Sequence, residues 1–270
     1  MQHDGVSRRK FFATSQGLLL LGVPGDRTAA ATPDPARVTD SYPSYDLELV
    51  REVVTVSHFN AARVRELVES RPALARATID WGFGDVESCI DAASHMGRRE
   101  IAELLVVHGA RPTMFTAAML GMLDVVKALV AARPGVQRAR GPHGLSLMAH
   151  ARAGGPEAEP VARYLAALGD ADLPLGAVPL DSADRDALVG RYAFGTGPRD
   201  YFDVDVERDQ LGIARPGGPA RRPLTHAGDE VFFPAGAQSV RIAFVRVDGT
   251  VRRLTVADPD VVLTATRVAG

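Results

Sequence analysis

Residues 89–112 read CIDAASHMGRREIAELLVVHGARP, and this stretch decides the fold of the first half of the chain. An alanine-rich segment ends at Gly97, and the segment after it places Ile101 and Leu104 on one face of a helix. Gly109 follows, at a helix end where a left-handed backbone favours a residue without a β-carbon. The pattern predicts a short helix, a tight turn and a longer amphipathic helix.

The same pattern recurs on both sides of this stretch. Residues 113–134 read TMFTAAMLGMLDVVKALVAARP, residues 53–72 read VVTVSHFNAARVRELVESRP, and a degenerate copy begins at Gly141. One helical pair cannot bury its apolar stripe alone, so the units must stack on one another. We therefore predict a helical repeat stack over residues 46–172.

This spacing resembles the ankyrin repeat, although Ser88-Cys89-Ile90-Asp91 and Ser146-Leu147-Met148-Ala149 replace its usual Thr-Pro-Leu-His opening. The stretches DWGFGDVES (80–88), GARPTMFTAAMLG (109–121) and GPHGLSLMAHARAGG (141–155) are also similar to one group of exported bacterial ankyrin proteins. The resemblance implies a concave groove formed by the first helices of the units and by the loop tips. A groove of this kind implies an interaction protein.

The first thirty residues have the features of an export signal. Ser7-Arg8-Arg9-Lys10-Phe11-Phe12 is followed by a short apolar run at 17–23 and by three alanines at 29–31. The paired arginines resemble a twin-arginine signal, and the apolar run is too short for a permanent membrane span. We predict a signal peptide at 1–31, a linker at 32–45, and a periplasmic or extracellular protein.

The last part of the chain changes to an alternating, strand-like pattern. Residues 201–207 and 239–247 alternate, and Asp248-Gly249 predicts a tight hairpin turn before residues 251–256. About eight short strands predict a small antiparallel barrel or sandwich over 188–270, after a linker at 173–187. Four motifs occur in order: Gly-Arg-Tyr at 190–192, Phe-Phe-Pro at 232–234, a hairpin from Phe244 to Asp248-Gly249, and Thr-Arg at 266–267. This order is similar to that in the lipocalin-like appendage of some exported serine hydrolases. The fold class predicted for the whole chain is α+β.

Composition and the absence of motifs limit the possible functions. The net charge of −2 does not suggest a nucleic-acid-binding protein. The single cysteine, Cys89, excludes an intrachain disulfide and a zinc site built mainly on thiolates. No Gly-x-Ser-x-Gly elbow, phosphate loop or His-Glu-x-x-His motif occurs. These observations favour a binding protein over an enzyme, and we predict no cofactor.

Alignment of the units on their glycines gives candidate binding residues. Relative to the glycine that closes each first helix, His95, Met119 and His150 fall at positions that face the groove in ankyrin stacks. The loop tips add further polar and aromatic side chains. The complete predicted set of ligand- or partner-binding residues is Trp81, Phe83, Asp85, His95, Arg111, Met119, His143 and His150.

Several of these residues have a structural alternative. Trp81 is either a binding anchor or a cap on the first repeat pair, and His143 is either a ligand contact or an ordinary turn residue. Asp85 and Glu87 are typical of residues that cap the following helix. His95 and His150 are too few for a metal site, which needs three or four ligands, so we predict no metal.

The leading hypothesis is an exported ankyrin-repeat protein that binds a protein, a peptide or a small molecule in its groove. The alternative is an uncharacterised enzyme, with its site in the groove or between the two domains. Its acid–base candidates are His95, His143, His150, Asp85 and Glu87. The two hypotheses differ in enclosure, because a catalytic site requires a pocket in which polar groups converge. Oligomeric state is left open.

Overall fold

The computed structural model of the protein describes residues 41–268, except for residues 219 and 260. The predicted signal peptide at 1–31 and most of the predicted linker at 32–45 lie outside these residues. Within the described residues, no helix has both the length and the apolar character needed to cross a membrane.

Four consecutive pairs of helices make up the first half of the described chain. The pairs are α1 (Leu47–Val56) with α2 (Ala61–Ser70), α3 (Cys89–His95) with α4 (Arg99–Val107), α5 (Met114–Met119) with α6 (Leu123–Ala132), and α7 (Leu147–Ala153) with α8 (Glu159–Leu168). Among the first helices, α1 packs on α3, α3 on α5 and α5 on α7, while α2 packs on α4 and α6 on α8. The predicted stacking of helical pairs is therefore present.

Hydroxyl side chains begin three of the first helices. Ser88, Thr113 and Ser146 each accept a hydrogen bond from the backbone N–H three residues later, at 3.3, 3.2 and 3.1 Å. These bonds satisfy N–H groups that a helix start leaves without an intrahelical partner. Asp85 and Glu87 do not cap α3, because Ser88 holds that position.

Glycine is required at two positions where one helical pair closely approaches another. Gly97 has a φ of +66°, and a β-carbon there would lie 2.1 Å from the carbonyl oxygen of Ala153. Gly121 has a φ of +76°, and its β-carbon would lie 2.3 Å from the carbonyl oxygen of Glu157. A side chain at either position would push two helical pairs apart.

A two-stranded hairpin and short 3-10 helices connect the helices. The hairpin pairs β1 (Thr78–Asp80) with β2 (Val86–Ser88) in antiparallel register, so that Ile79 faces Glu87. The 3-10 helices span Pro72–Arg76, Val136–Arg138, Pro142–Gly144 and Gly155–Ala158.

The second half is a closed antiparallel barrel of eight strands, which decides between the two predicted β architectures. The strands are β3 (Gly190–Ala193), β4 (Tyr201–Glu207), β5 (Gln210–Ala214), β6 (Arg222–Gly228), β7 (Val231–Pro234), β8 (Arg241–Val247), β9 (Thr250–Asp258) and β10 (Val261–Arg267). Each strand pairs with the next in sequence, and β10 closes the barrel on β3. Asp248 and Gly249 have φ of +50° and +74° in the β8–β9 turn, as the predicted hairpin requires.

Large side chains fill the interior of the barrel. Tyr192, Phe232, Ile242 and Leu254 are each less than 2% exposed. The Tyr192 hydroxyl donates a 2.7 Å hydrogen bond to the carbonyl oxygen of Leu188, which satisfies its polar end. The centre of the barrel is therefore a packed core.

The β1–β2 turn joins the helical pairs to the barrel. Trp81 packs against the core of the first helical pairs, whereas Phe83, two residues later, packs against the core of the barrel. The described residues from Pro43 onward accordingly form one compact unit. The predicted linker at 173–187 contains a short helix, α9 (Ser182–Ala187), and Val178 donates a 2.8 Å backbone hydrogen bond to His226 of β6.

Candidate functional site

The candidate site is built around the carboxylate of Glu87, whose side chain is fully buried. Trp81 Nε1 donates to Glu87 Oε2 at 2.7 Å. On the other oxygen, Oε1, three imidazole nitrogens converge. His95 Nε2 lies at 2.8 Å, His143 Nε2 at 3.3 Å and His58 Nε2 at 3.6 Å. One buried carboxylate thus has an indole on one side and three histidine rings on the other.

Short local elements bring these groups together. The turn between β1 and β2 has three successive left-handed residues, Gly82, Phe83 and Gly84, with φ of +109°, +60° and +75°. This tight reversal places Trp81 and Glu87 at the two sides of the hairpin. His95 comes from the last turn of α3, and His58 comes from the turn that follows α1.

A second buried carboxylate, Asp85, holds the third histidine. Asp85 Oδ1 accepts from the backbone N–H of His143 at 2.8 Å, and Oδ2 lies 2.8 Å from His143 Nδ1. His143 itself has a left-handed φ of +59° within the Pro142–Gly144 turn. The guanidinium of Arg222, at the start of β6, donates to the same Asp85 carboxylate. Asp85 therefore connects the helical pairs, the His143 turn and the barrel.

The carboxylates and histidines shift one another's pKa values in opposite directions. Burial by itself would raise the pKa of Glu87, but hydrogen bonds from His143, His58 and His95 hold it well below its usual range. Burial would lower the pKa of His143, yet its bonds to Asp85 and Glu87 raise it to about 9. Burial would also lower the pKa of His58, but the bond to Glu87, the attraction of its charge and the bonds to the carbonyl oxygens of Thr55 and Val54 together raise it.

A cleft of about 500 Å³ opens onto this group of residues. We call it the junction cleft, because one wall belongs to the helical pairs and the other to the barrel. The helical wall includes His58, Phe59, Trp81 and His143, and the barrel wall includes Arg222 and Pro223. His58 and His143 are 21% and 27% exposed, whereas Glu87 is not exposed. A molecule in the cleft would therefore contact the two histidines first.

The structure brings five of the predicted site residues into this one group. Trp81, Asp85, Glu87, His95 and His143 all belong to it, although they span more than fifty residues of sequence. Trp81 packs on the first helical core, as its structural alternative predicts, and it also lines the cleft, where its role as a binding anchor stays a prediction.

The remaining predicted residues lie elsewhere. His150 is fully buried with its Nδ1 2.8 Å from the carbonyl oxygen of Ser146, and its ring centroid is 6.4 Å from that of His95. Met119 is fully buried in the helical core. Phe83 faces the barrel core, and Arg111 lines a separate surface cleft beside Thr113.

Sequence reasoning missed two members of the group. His58 lies in Ser57-His58-Phe59-Asn60, which matches Ser94-His95-Met96-Gly97 when Asn60 is aligned with Gly97. Aligning the first unit in this way would have placed His58 beside His95. The other missed residue, Arg222, comes from the barrel, and no local pattern indicates its partner Asp85, which is 137 positions away.

The arrangement offers two kinds of chemistry. Imidazole rings beside a cleft can exchange protons with a bound molecule. The same side chains are also ligand types that transition metals favour, and one potential donor atom from each of His58, Glu87, His95 and His143 lies within 4.8 Å of the others.

Comparison of the chain with models of protein families, with curated proteins and with solved structures finds no match in any of the three.

Proposed function

We propose that this chain is an exported binding protein that takes a small molecule in the junction cleft, between an ankyrin-type helical stack and the barrel. The observation that carries the proposal is the convergence of His58, Trp81 and His143 on one wall of a cleft of about 500 Å³. Ligand sites commonly measure about 300–1,000 Å³ and occur where two packed cores meet.

The lining of the cleft fits an amphipathic small molecule. Phe59, Trp81 and Pro223 offer apolar or aromatic surface, and the imidazoles of His58 and His143 line the same cleft. Predominantly apolar walls with a few fixed polar groups are typical of ligand sites. Phe59 is 59% exposed, so its ring is free to cover a bound molecule.

The cleft is a better candidate than an open groove along the helical stack. Two residues expected to face that groove, Met119 and His150, are fully buried. The convergence of polar groups beside the cleft also favours the catalytic alternative over a protein scaffold, because an enzyme needs such groups beside its substrate. The twin-arginine-like segment at residues 7–12 supports the exported location.

The single tryptophan of the chain gives a direct test. Trp81 lines the cleft, so an aromatic anion such as anilinonaphthalene sulfonate bound there should receive energy from Trp81 fluorescence. We expect saturable binding of one probe per chain. Phe59→Ala should weaken it about 5-fold, because an aromatic contact contributes about 1 kcal/mol.

The matched control is Leu129→Ala, which removes a partly exposed apolar side chain from α6, outside the cleft. This variant should bind the probe as the unmodified chain does. Binding that does not saturate, or that Phe59→Ala and Leu129→Ala affect equally, would refute a ligand site in the junction cleft.

A further inference from the structure

Four side chains beside the junction cleft have donor atoms close enough to form a metal site: those of His58, Glu87, His95 and His143. His95, His143 and His58 place Nε2 at 2.8, 3.3 and 3.6 Å from Glu87 Oε1. Four ligands placed tetrahedrally at zinc-to-ligand distances of about 2.1 Å would lie about 3.4 Å from one another. The three separations from Glu87 lie on both sides of that value, and all four donor atoms lie within 4.8 Å of one another, so side-chain movements that bring them closer together would complete a coordination sphere.

The outer nitrogens of two rings determine what the inner nitrogens can offer. His58 Nδ1 lies 3.1 and 3.0 Å from the carbonyl oxygens of Val54 and Thr55, which can only accept a hydrogen bond. Nδ1 must therefore carry the proton. In the neutral ring, Nε2 then presents a lone pair towards Glu87.

His143 has the same arrangement with a carboxylate in place of the carbonyls. Its Nδ1 lies 2.8 Å from Asp85, which also accepts from Arg222 and is therefore held as an acceptor. The neutral ring again turns a lone pair on Nε2 towards Glu87. Without a metal ion, protons on Nε2 of His143 and His58 complete the hydrogen bonds to Glu87. A single divalent cation that displaces these protons would meet the freed lone pairs and the carboxylate oxygen at once.

The surrounding contacts match those that orient metal ligands. A ligating histidine usually donates its other N–H to a carboxylate or a backbone carbonyl, as His143 and His58 do. The ligating carboxylate is usually hydrogen-bonded as well, and Trp81 provides that bond to Glu87 at 2.7 Å. Fixed in this way, the rings of His58 and His143 and the carboxylate of Glu87 are preorganised around one point.

We propose that His58, Glu87, His95 and His143 bind one divalent transition-metal ion of the zinc type, reached from the junction cleft. Three imidazoles with one carboxylate favour zinc, cobalt, nickel or copper over calcium and magnesium, which prefer oxygen ligands. Because His58 and His143 line the cleft, the ion would be accessible to a molecule bound there. The proposal goes beyond ligand binding and does not require an organic ligand.

The test is metal binding by the full chain, freed of any affinity tag and stripped with a chelator. Titration with Co²⁺ should give a visible absorption band that saturates at one ion per chain, and Zn²⁺ should displace the cobalt. Zinc should also raise the melting temperature of the chain relative to the chelator-treated protein, because it binds the folded state.

Variants identify the ligands. Glu87→Gln and His143→Asn should each weaken zinc binding more than about 100-fold, since even outer partners of metal ligands contribute about 10- to 100-fold. Asp85→Asn, which leaves all four ligands in place, should weaken it about 10- to 100-fold. The control is His108→Asn, at the end of α4 and outside the group, and it should leave zinc affinity unchanged.

The proposal is overturned if the unmodified chain shows neither a saturable cobalt band nor zinc-dependent stabilisation. It is equally overturned if bound zinc is retained in both Glu87→Gln and His143→Asn. The first two measurements use only the unmodified chain, so a variant that fails to fold does not obscure the result. Zinc binding without binding of the aromatic probe would support the metal site and refute the small-molecule site, and the reverse result would do the opposite.

Discussion

Asp85→Asn tests whether one buried carboxylate holds the helical pairs and the barrel together. The substitution keeps the shape of the side chain and one oxygen for the His143 backbone N–H. It removes the negative charge that faces the guanidinium of Arg222. Asp85 is 3% exposed and Arg222 is 6% exposed, so water has little access to solvate the guanidinium that is left without its partner.

The magnitude follows from that burial. Removing one partner of a buried ion pair costs about 3–5 kcal/mol, because the other charge is left without compensation. Asparagine still accepts one hydrogen bond, so we expect the free energy of unfolding to fall by an amount near the lower end of this range, about 3 kcal/mol. Asp205→Asn is the matched control, since Asp205 of β4 pairs with Arg221, the residue before β6, but its side chain is 53% exposed. That change should cost less than about 1 kcal/mol.

Urea unfolding of the chelator-treated protein, followed by Trp81 fluorescence and by circular dichroism, measures both changes. With a denaturant dependence of about 2–3 kcal/mol per molar urea, Asp85→Asn should lower the midpoint by about 1 M. The Asp205→Asn midpoint should move by a small fraction of that. If the two variants shift the midpoint equally, the Asp85–Arg222 pair does not stabilise the junction and the reasoning is wrong.

Three further substitutions probe the stack, the barrel and their contact. Gly97→Ala should lower the free energy of unfolding by more than about 2 kcal/mol in thermal unfolding, because its β-carbon would lie 2.1 Å from a carbonyl oxygen. Gly109→Ala, with open space around it, should lower it by only about 1 kcal/mol, and equal losses would contradict the close approach at Gly97. Burial raises the pKa of Tyr192 to about 12, so the folded state should lose stability as pH rises above the usual tyrosine pKa of about 10. Tyr192→Phe should remove this pH dependence when the free energy of unfolding is measured by denaturation at pH values of about 8 to 11. An unchanged slope of that free energy against pH would contradict the raised pKa of Tyr192. Phe83→Ala should lower the free energy of unfolding by about 2 kcal/mol and increase proteolysis at the junction, because Phe83 packs against the barrel core. Phe59→Ala, at an exposed side chain, should lower it by less than about 0.5 kcal/mol, and equal sensitivity of the two variants would refute the packing role of Phe83.

Most of the local structure could be predicted from the order of residues alone. The apolar spacing around Ile101 and Leu104 predicts a helix, and Gly97 and Gly109 mark helix ends, because these signals act within a few residues of backbone. Asp248-Gly249 likewise predicts a hairpin, since few residue pairs accept two left-handed conformations in succession. In the candidate site, Trp81, Asp85, Glu87, His95 and His143 were predicted from loop positions and from the repeat pattern.

How these residues combine depends on the packing of the barrel against the helical pairs. Closure of β10 on β3 makes a barrel instead of a sandwich, and alternation along single strands carries no information about that pairing. The pairing of Arg222 with Asp85, the full burial of Glu87 and the junction cleft all depend on how the barrel packs against the helical pairs. Such contacts join residues far apart in the chain, and their energies come from burial and charge at the junction, which no local sequence pattern records.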